Sequence, residues 1–213
     1  MLEAYAVVLA ALIAMQLSPG PNLVAVASAA MGRSRRAALS VALGIASGAV
    51  IWVVLVAFGL GVVLKAFPSM LTAFKLVGGG YLLWIAFRAL RAARRDGGAL
   101  EPTEGAADSG AGAAAWRRGL FVVLSNPKVA LGWAASASYL FGAGLSAWQV
   151  AGFAPLAAAS ALTVYGGCGL LFSTEIAVRV YRRLRRAIET VFGGLFGLMG
   201  ATLVAAGVHD LRE

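Results

Sequence analysis

From Ala37 to Leu64 the chain carries no charged residue. A helix needs about 20 apolar residues to cross the hydrocarbon core of a bilayer, so this stretch alone is longer than a crossing requires. It reads as a membrane-spanning helix, and the rest of the chain agrees. Of 213 residues 61% are hydrophobic and 13% charged, about half the charged share of an average soluble chain, where it is about 25%. That composition excludes a water-soluble globule.

Five more apolar runs flank this one, from Ala4 to Met31, Ala66 to Phe87, Gly119 to about Leu145, Trp148 to about Val178 and Ile188 to Val208. The first is no signal peptide by its pattern, since its leading residues carry Glu3 and no cation. Residues 96–115 are rich in Gly, Ala, Ser, Pro and acids and show no helical stripe, which reads as a flexible linker. The expected fold is an all-α integral membrane protein of six transmembrane helices. Residues 1–95 form a first three-helix repeat, 96–115 a cytoplasmic linker and 116–213 a second repeat. Three crossings reverse the chain's direction, so the repeats must be inverted.

The net charge of +9 would suggest nucleic acid in a soluble protein, but here the placement of the cations matters more. Three Lys or Arg follow run one, six surround the linker and five follow run five, fourteen of the 18 in all. The positive-inside bias makes these connectors cytoplasmic and puts both termini outside. The cations therefore read as orientation and lipid-headgroup contacts, with no nucleic-acid partner.

Two runs are broken inside. Run one contains Ser18-Pro19-Gly20-Pro21-Asn22, and run four contains Ser125-Asn126-Pro127-Lys128. Pro21 lies 12 residues from Arg33 and Pro127 nine from Arg118, roughly 18 Å and 14 Å of helix, so both breaks fall near the middle of a core about 30 Å thick. Proline disrupts a helix interior but suits the first position of a new helix, with Asn126 before it as N-cap. Half-helices opening at Pro21 and Pro127 could turn their positive ends to one point, where an anion such as a substrate carboxylate would bind. Simple proline kinks between packed helices are the alternative. Lys128 stands at the unfavourable end of its helix dipole and should have an anionic partner.

Lys75 has two readings, an intramembrane partner of a polar group or a side chain that snorkels outward. Glu175, set inside run five, could carry a proton or pair with Arg179 one turn on. His209 and Asp210 read as a solvated tail. Gly44/Gly48, Gly78 to Gly80 and Gly193/Gly197 are small-residue stripes for close helix packing. Lone Cys168 rules out an internal disulfide and a two-thiol redox relay. No intramembrane His/Asp/Glu cluster and no nucleophile with a base at helical spacing stands out, so neither a metal, a cofactor nor an enzyme is expected.

Three segments together resemble the LysE/RhtB family of bacterial amino-acid exporters: Ser18 to Asn22 leading to Gly32-Arg33, Phe74 to Trp84 leading to Arg88, and Arg118-Gly119-Leu120 leading to Ser125 to Lys128. The likeness spans about residues 4 to 208. It implies a six-helix inner-membrane protein that exports amino acids or close derivatives, driven by the proton gradient, with a small amino acid, protons and lipid as partners. A homo-oligomer is left open. The family's site elements fall on Pro19, Gly20, Pro21 and Asn22, on Lys75, and on Asn126, Pro127 and Lys128; Glu175, from its own place in run five, is the coupling candidate. Val129 to Tyr139 departs from the family's phenylalanine-rich continuation. A passive small-solute channel is the competing function, since paired half-helices also line pores.

Overall fold

The computed structural model describes residues 1–32, 35–60, 69–94 and 112–211. Among them every regular element is helical: α1 (Leu2–Leu17), α2 (Pro21–Gly32), α3 (Arg35–Val54), α4 (Ser69–Ala93), α5 (Ala113–Ser125), α6 (Pro127–Gly142), α7 (Ala147–Ala151), α8 (Ala154–Leu171) and α9 (Glu175–Asp210). A π-helical turn, Leu55–Leu60, extends α3. The end of run two, the start of run three and most of the expected linker lie outside the described residues. Residues 113–115, expected as linker, form the first turn of α5, because three alanines are the strongest helix formers available.

Among the described residues, three stretches, Arg35–Gly59, Ala147–Leu171 and Arg186–Asp210, are long and apolar enough to cross a bilayer, and the bent pairs α1–α2 and α5–α6 bring the number to five. Large apolar side chains point outward all around the bundle, Phe121 at 72% exposure and Leu198 at 66% among them. In water such a surface would aggregate, and in lipid it is matched. The molecule is an all-α membrane protein.

Both bends follow from proline. Ser18 precedes Pro19 and has φ −70°, ψ 140°, and Asn126 precedes Pro127 with φ −80°, ψ 110°. The ring of a following proline pushes its predecessor out of the α region, so α1 and α5 stop there. α2 departs from α1 by 52° and α6 from α5 by 60°.

Packing rests on close backbone approach, since lipid gives no hydrophobic drive for helices to associate. α3 is central, burying Ala38, Val41, Ala42, Gly44, Ile45 and Gly48 against α5 on one side and α8 on the other. A Cβ on Gly44 would run into the Trp116 carbonyl, and one on Gly119 into that of Val41. α4 and α9 meet in the same manner, where a Cβ on Gly79 would come within 2.9 Å of the Gly200 carbonyl.

The fifth run ends earlier than its composition predicts. α8 stops at Leu171, and a turn over 172–174 follows in which the Ser173 and Thr174 hydroxyls donate to the Leu170 and Leu171 carbonyls, at 2.6 and 2.7 Å. Such hydroxyls compete with the helix for its own acceptors and end it. α9 then begins at Glu175 and runs 36 residues, taking the arginine-rich segment into helix, which arginine's good helix propensity permits. Glu175 consequently stands at the first position of α9, after the turn, and not within α8. Arg35 Nε donates to Ser173 Oγ (3.1 Å), which joins the start of α3 to this turn, and Arg186 Nε donates to the Ala93 carbonyl (3.0 Å), which joins the end of α4 to α9 eleven residues past its start.

Candidate functional site

The two breaks meet. Asn126 Nδ2 donates to Asn22 Oδ1 at 3.1 Å, and Asn22 Nδ2 donates to the Tyr165 hydroxyl at 3.3 Å. Ser18, Asn22 and Asn126 are each 4% exposed. A buried amide is tolerated only when its polar atoms are bonded, so this chain of side chains pins the second half of the first broken span, the second broken span and α8 together. Asn126 also acts as N-cap of α6, as its position before Pro127 suggested: Oδ1 accepts from Lys128 N at 3.1 Å, and the Asn126 carbonyl accepts from Val129 N and Ala130 N. These first donors of α6 are thereby occupied within the protein and are not on offer to a ligand.

The donor that remains is the Lys128 ammonium. It reaches across to the first break, donating to Ser18 Oγ at 2.6 Å and the Ser18 carbonyl at 3.2 Å. This resolves the awkward position of a cation in the first turn of α6. The carbonyls at the end of α1 are the negative pole of that helix, freed of intrahelical partners by the break, and Lys128 caps them from the neighbouring span. The expected anionic partner is thus replaced by a hydroxyl and a carbonyl. Gly20 eases the approach, since a Cβ there would crowd Lys128 Nζ at 3.2 Å.

A cavity of about 290 Å³ opens on this junction. Counting roughly 30 Å³ for each water it would displace, it has room for about ten waters or for one small metabolite. Ser18, Pro19, Gly20 and Pro21 line it from the first break and Asn126, Pro127 and Lys128 from the second; Tyr81, Trp84, Ile85, Arg88, Ala89 and Ala92 come from α4, and Glu189 from α9. The Arg88 guanidinium stacks 4.9 Å from the Trp84 ring centroid, and Lys128 Nζ is 6.0 Å from that of Phe196. Charge of both signs therefore faces one small chamber with aromatic walls.

Of the site residues expected from sequence, Pro19, Gly20, Pro21, Asn126, Pro127 and Lys128 line the cavity, and Asn22 lies behind it as the link to α8. Lys75 stands elsewhere. Its ammonium is 2.6 Å from Asp210 Oδ2, which also accepts from Thr72 Oγ1 at 3.2 Å. Asp210 is 21 residues past Glu189 on α9, about 31 Å along the axis, so Lys75 belongs to the far end of the bundle. Glu175 opens α9, and its side chain lies outside the described residues. Two charged cavity residues carry no site role in the sequence reading: Arg88 counts there with the connector cations, and Glu189 falls within the last apolar run, Ile188 to Val208, without being singled out. The signal available for Glu189 was its helical register with Phe196, one heptad later and on the same face.

The chain matches the family model of the LysE type translocator over residues 13–207. It is 30% identical over 190 residues to a threonine efflux protein of Salmonella typhi, spanning 88% of this chain and 91% of that one. A threonine efflux protein of Escherichia coli strain K12 is 27% identical over 188 residues, with the same coverage. The uncharacterized membrane protein YahN of the same strain is 29% identical over 193 residues, 90% of this chain and 84% of its own length. No solved structure matches the chain. By the extent of the family match, and with the broken-helix and lysine motifs in the places described, the chain belongs to the LysE type translocator family.

Proposed function

We propose that the chain is a secondary transporter that exports amino acids or close derivatives across the bacterial inner membrane by proton antiport. One observation carries the reading: two helix breaks far apart in the chain close on a single cavity that presents an ammonium, Lys128. Unwound backbone and half-helix ends at mid-span are where secondary transporters hold their cargo. The threonine efflux relatives supply the cargo class.

In this reading the chain crosses six times, through α1–α2, α3, α4, α5–α6, α7–α8 and α9. α4 has 25 residues, about 37 Å of helix and more than a bilayer core requires. An inverted repeat gains support from paired contacts between the halves. Gln16 on the first broken span donates to Ser160 on the fifth crossing (3.1 Å), and Trp52 on the second crossing donates to the Val123 carbonyl on the fourth (3.2 Å). The arginine-bearing ends face the cytoplasm and both termini lie outside. The cavity then reaches from the breaks toward Arg88 and Ala92 at the cytoplasmic end of α4, the side from which an exporter loads.

Lys128 receives the cargo carboxylate in exchange for its Ser18 contacts, and Asn22 and Asn126 hold the two breaks in register. Export against a gradient requires that this affinity differ between the inward- and outward-facing states. Glu175 is the coupling group to test. The experiment is efflux from cells fed dipeptides, with a panel of amino acids measured outside. Expression of the chain raises efflux of at least one amino acid, and a protonophore removes most of the increase. Flux that persists with the gradient collapsed would instead mark a channel.

A further inference from the structure

Glu189 is 3% exposed and is the one acid among the residues that line the cavity, which it shares with Lys128 and Arg88. A carboxylate this far from water acts strongly on a cation that enters the chamber beside it. Glu189 and the Lys128 ammonium line the same chamber, and Lys128 Nζ also lies 6.0 Å from the ring of Phe196, one heptad past Glu189 on α9. Lys128 directs its short bonds to Ser18. One chamber therefore holds a cationic and an anionic group on different helices, with Tyr81 and Trp84 between α4 and the breaks as apolar wall.

That arrangement complements a zwitterion. We propose that Glu189 is the counter-ion for the cargo's α-ammonium, so that the cavity accepts free amino acids with uncharged side chains and rejects both N-acylated derivatives and basic amino acids. The inference rests on the exporter reading and narrows it. An N-acyl group removes the charge and two of the N–H donors that a carboxylate recognises, and a site built for a charged donor discriminates strongly against its absence. A lysine or arginine cargo brings a second cation into a chamber that already holds Lys128 and Arg88 against one acid, and like charges in a desolvated site repel.

The test uses the full chain in proteoliposomes loaded with an equimolar mixture of uncharged L-amino acids, their N-acetyl derivatives and L-lysine, with release read by mass spectrometry against protein-free vesicles. Wild type releases at least one free amino acid about tenfold or more faster than its N-acetyl form and faster than lysine, as expected for loss of a charge-assisted bond. Glu189→Gln lowers that ratio about tenfold, while Glu189→Asp keeps most of it. Because the ratio compares two cargoes on the same molecules, loss of folded protein does not mimic the effect. Equal release of free and N-acetylated forms by wild type overturns the proposal, as does an unchanged ratio in Glu189→Gln. Either result leaves the exporter reading standing, whereas no release of any free amino acid above protein-free vesicles removes both.

Discussion

The two helix breaks occupy corresponding places in the two halves of the chain, yet they are built differently. The first spans three residues, Ser18 to Gly20, and the end of α1 is closed only from outside, by Lys128 of the other broken span. The second is a single residue, Asn126, whose side chain caps α6 at once and whose proline neighbour occupies the first helical position. An open break exposes acceptors, here the Ser18 carbonyl and hydroxyl, and a capped break exposes none, so it presents a side chain instead, Lys128. If the halves arose as copies, they have since become donor and acceptor for each other. A pair of identical open breaks would repel through their carbonyls, and a pair of identical capped ones would have nothing to exchange for a cargo.

Removing the donor breaks this relation most completely. Lys128→Ala takes away the one group proposed to bind the cargo carboxylate, and a charge-assisted bond of about 1.5–3 kcal/mol corresponds to a loss of export of about tenfold to a hundredfold. The loss of folded protein should be small, because deleting a buried ammonium offsets the acceptor left behind at Ser18. Ser18→Ala, which removes the hydroxyl but leaves the carbonyl, should lower export only a few-fold. Efflux and detergent-solubilised yield are measured side by side. Export by Lys128→Ala equal to wild type for every amino acid would end the assignment of the site.

Much of this was legible in the chain because proline and asparagine act locally. Ser18, Asn126 and their following prolines dictate the bends through sterics within two residues, and no tertiary information is needed to read them. The pairing of Asn22 with Asn126, and of Lys128 with Ser18, was legible only as a shared point, since the partner of a side chain depends on how helices pack. The place of Glu175 was misread for a similar reason. Hydropathy continued run five past Leu171, but the Ser173 and Thr174 hydroxyls stop the helix. Arginines that composition assigns to a connector form about two turns of α9, so that Glu175, set inside run five by composition, stands at the start of a helix whose buried acid is Glu189. Where charged residues are good helix formers, composition marks the membrane boundary but not the helix boundary.

The Asn22–Asn126 bond offers a sharper test of how far the breaks act as one unit. Asn126→Ala loses a helix cap, typically about 1 kcal/mol, and strands Asn22 Oδ1 in a buried position, about 1–3 kcal/mol more. Asn22→Ala loses no cap but severs both the link to Asn126 and that to Tyr165. The double variant should be about 1 kcal/mol less destabilised than the two single effects added, because both singles break the same bond. Unfolding in detergent across the four proteins measures it. Strict additivity would mean the breaks are neighbours without being coupled.

The smallest effect is expected at Lys75, the site residue that the family pattern singles out and the fold sets apart. Its ion pair with Asp210 ties α4 to the last turn of α9, with the two side chains 23% and 30% exposed. Pairs with that much access to solvent are worth about 0–1 kcal/mol. Lys75→Met keeps the apolar stem and should leave export within about twofold while lowering stability slightly, and Asp210→Asn should match it. The comparison with Lys128→Ala is what gives the result its meaning. Two lysines sit in helices of the same bundle, one bonded to a helix end freed by a break and close to Phe196 of α9, the other bonded to a carboxylate 14 residues further along α9, about 21 Å along the axis. Only the first has partners that a cargo carboxylate can replace without stranding a charge. A loss of export at Lys75 as deep as that at Lys128, with Asp210→Asn following it, would show that the path passes the far end of the bundle as an obligatory second station.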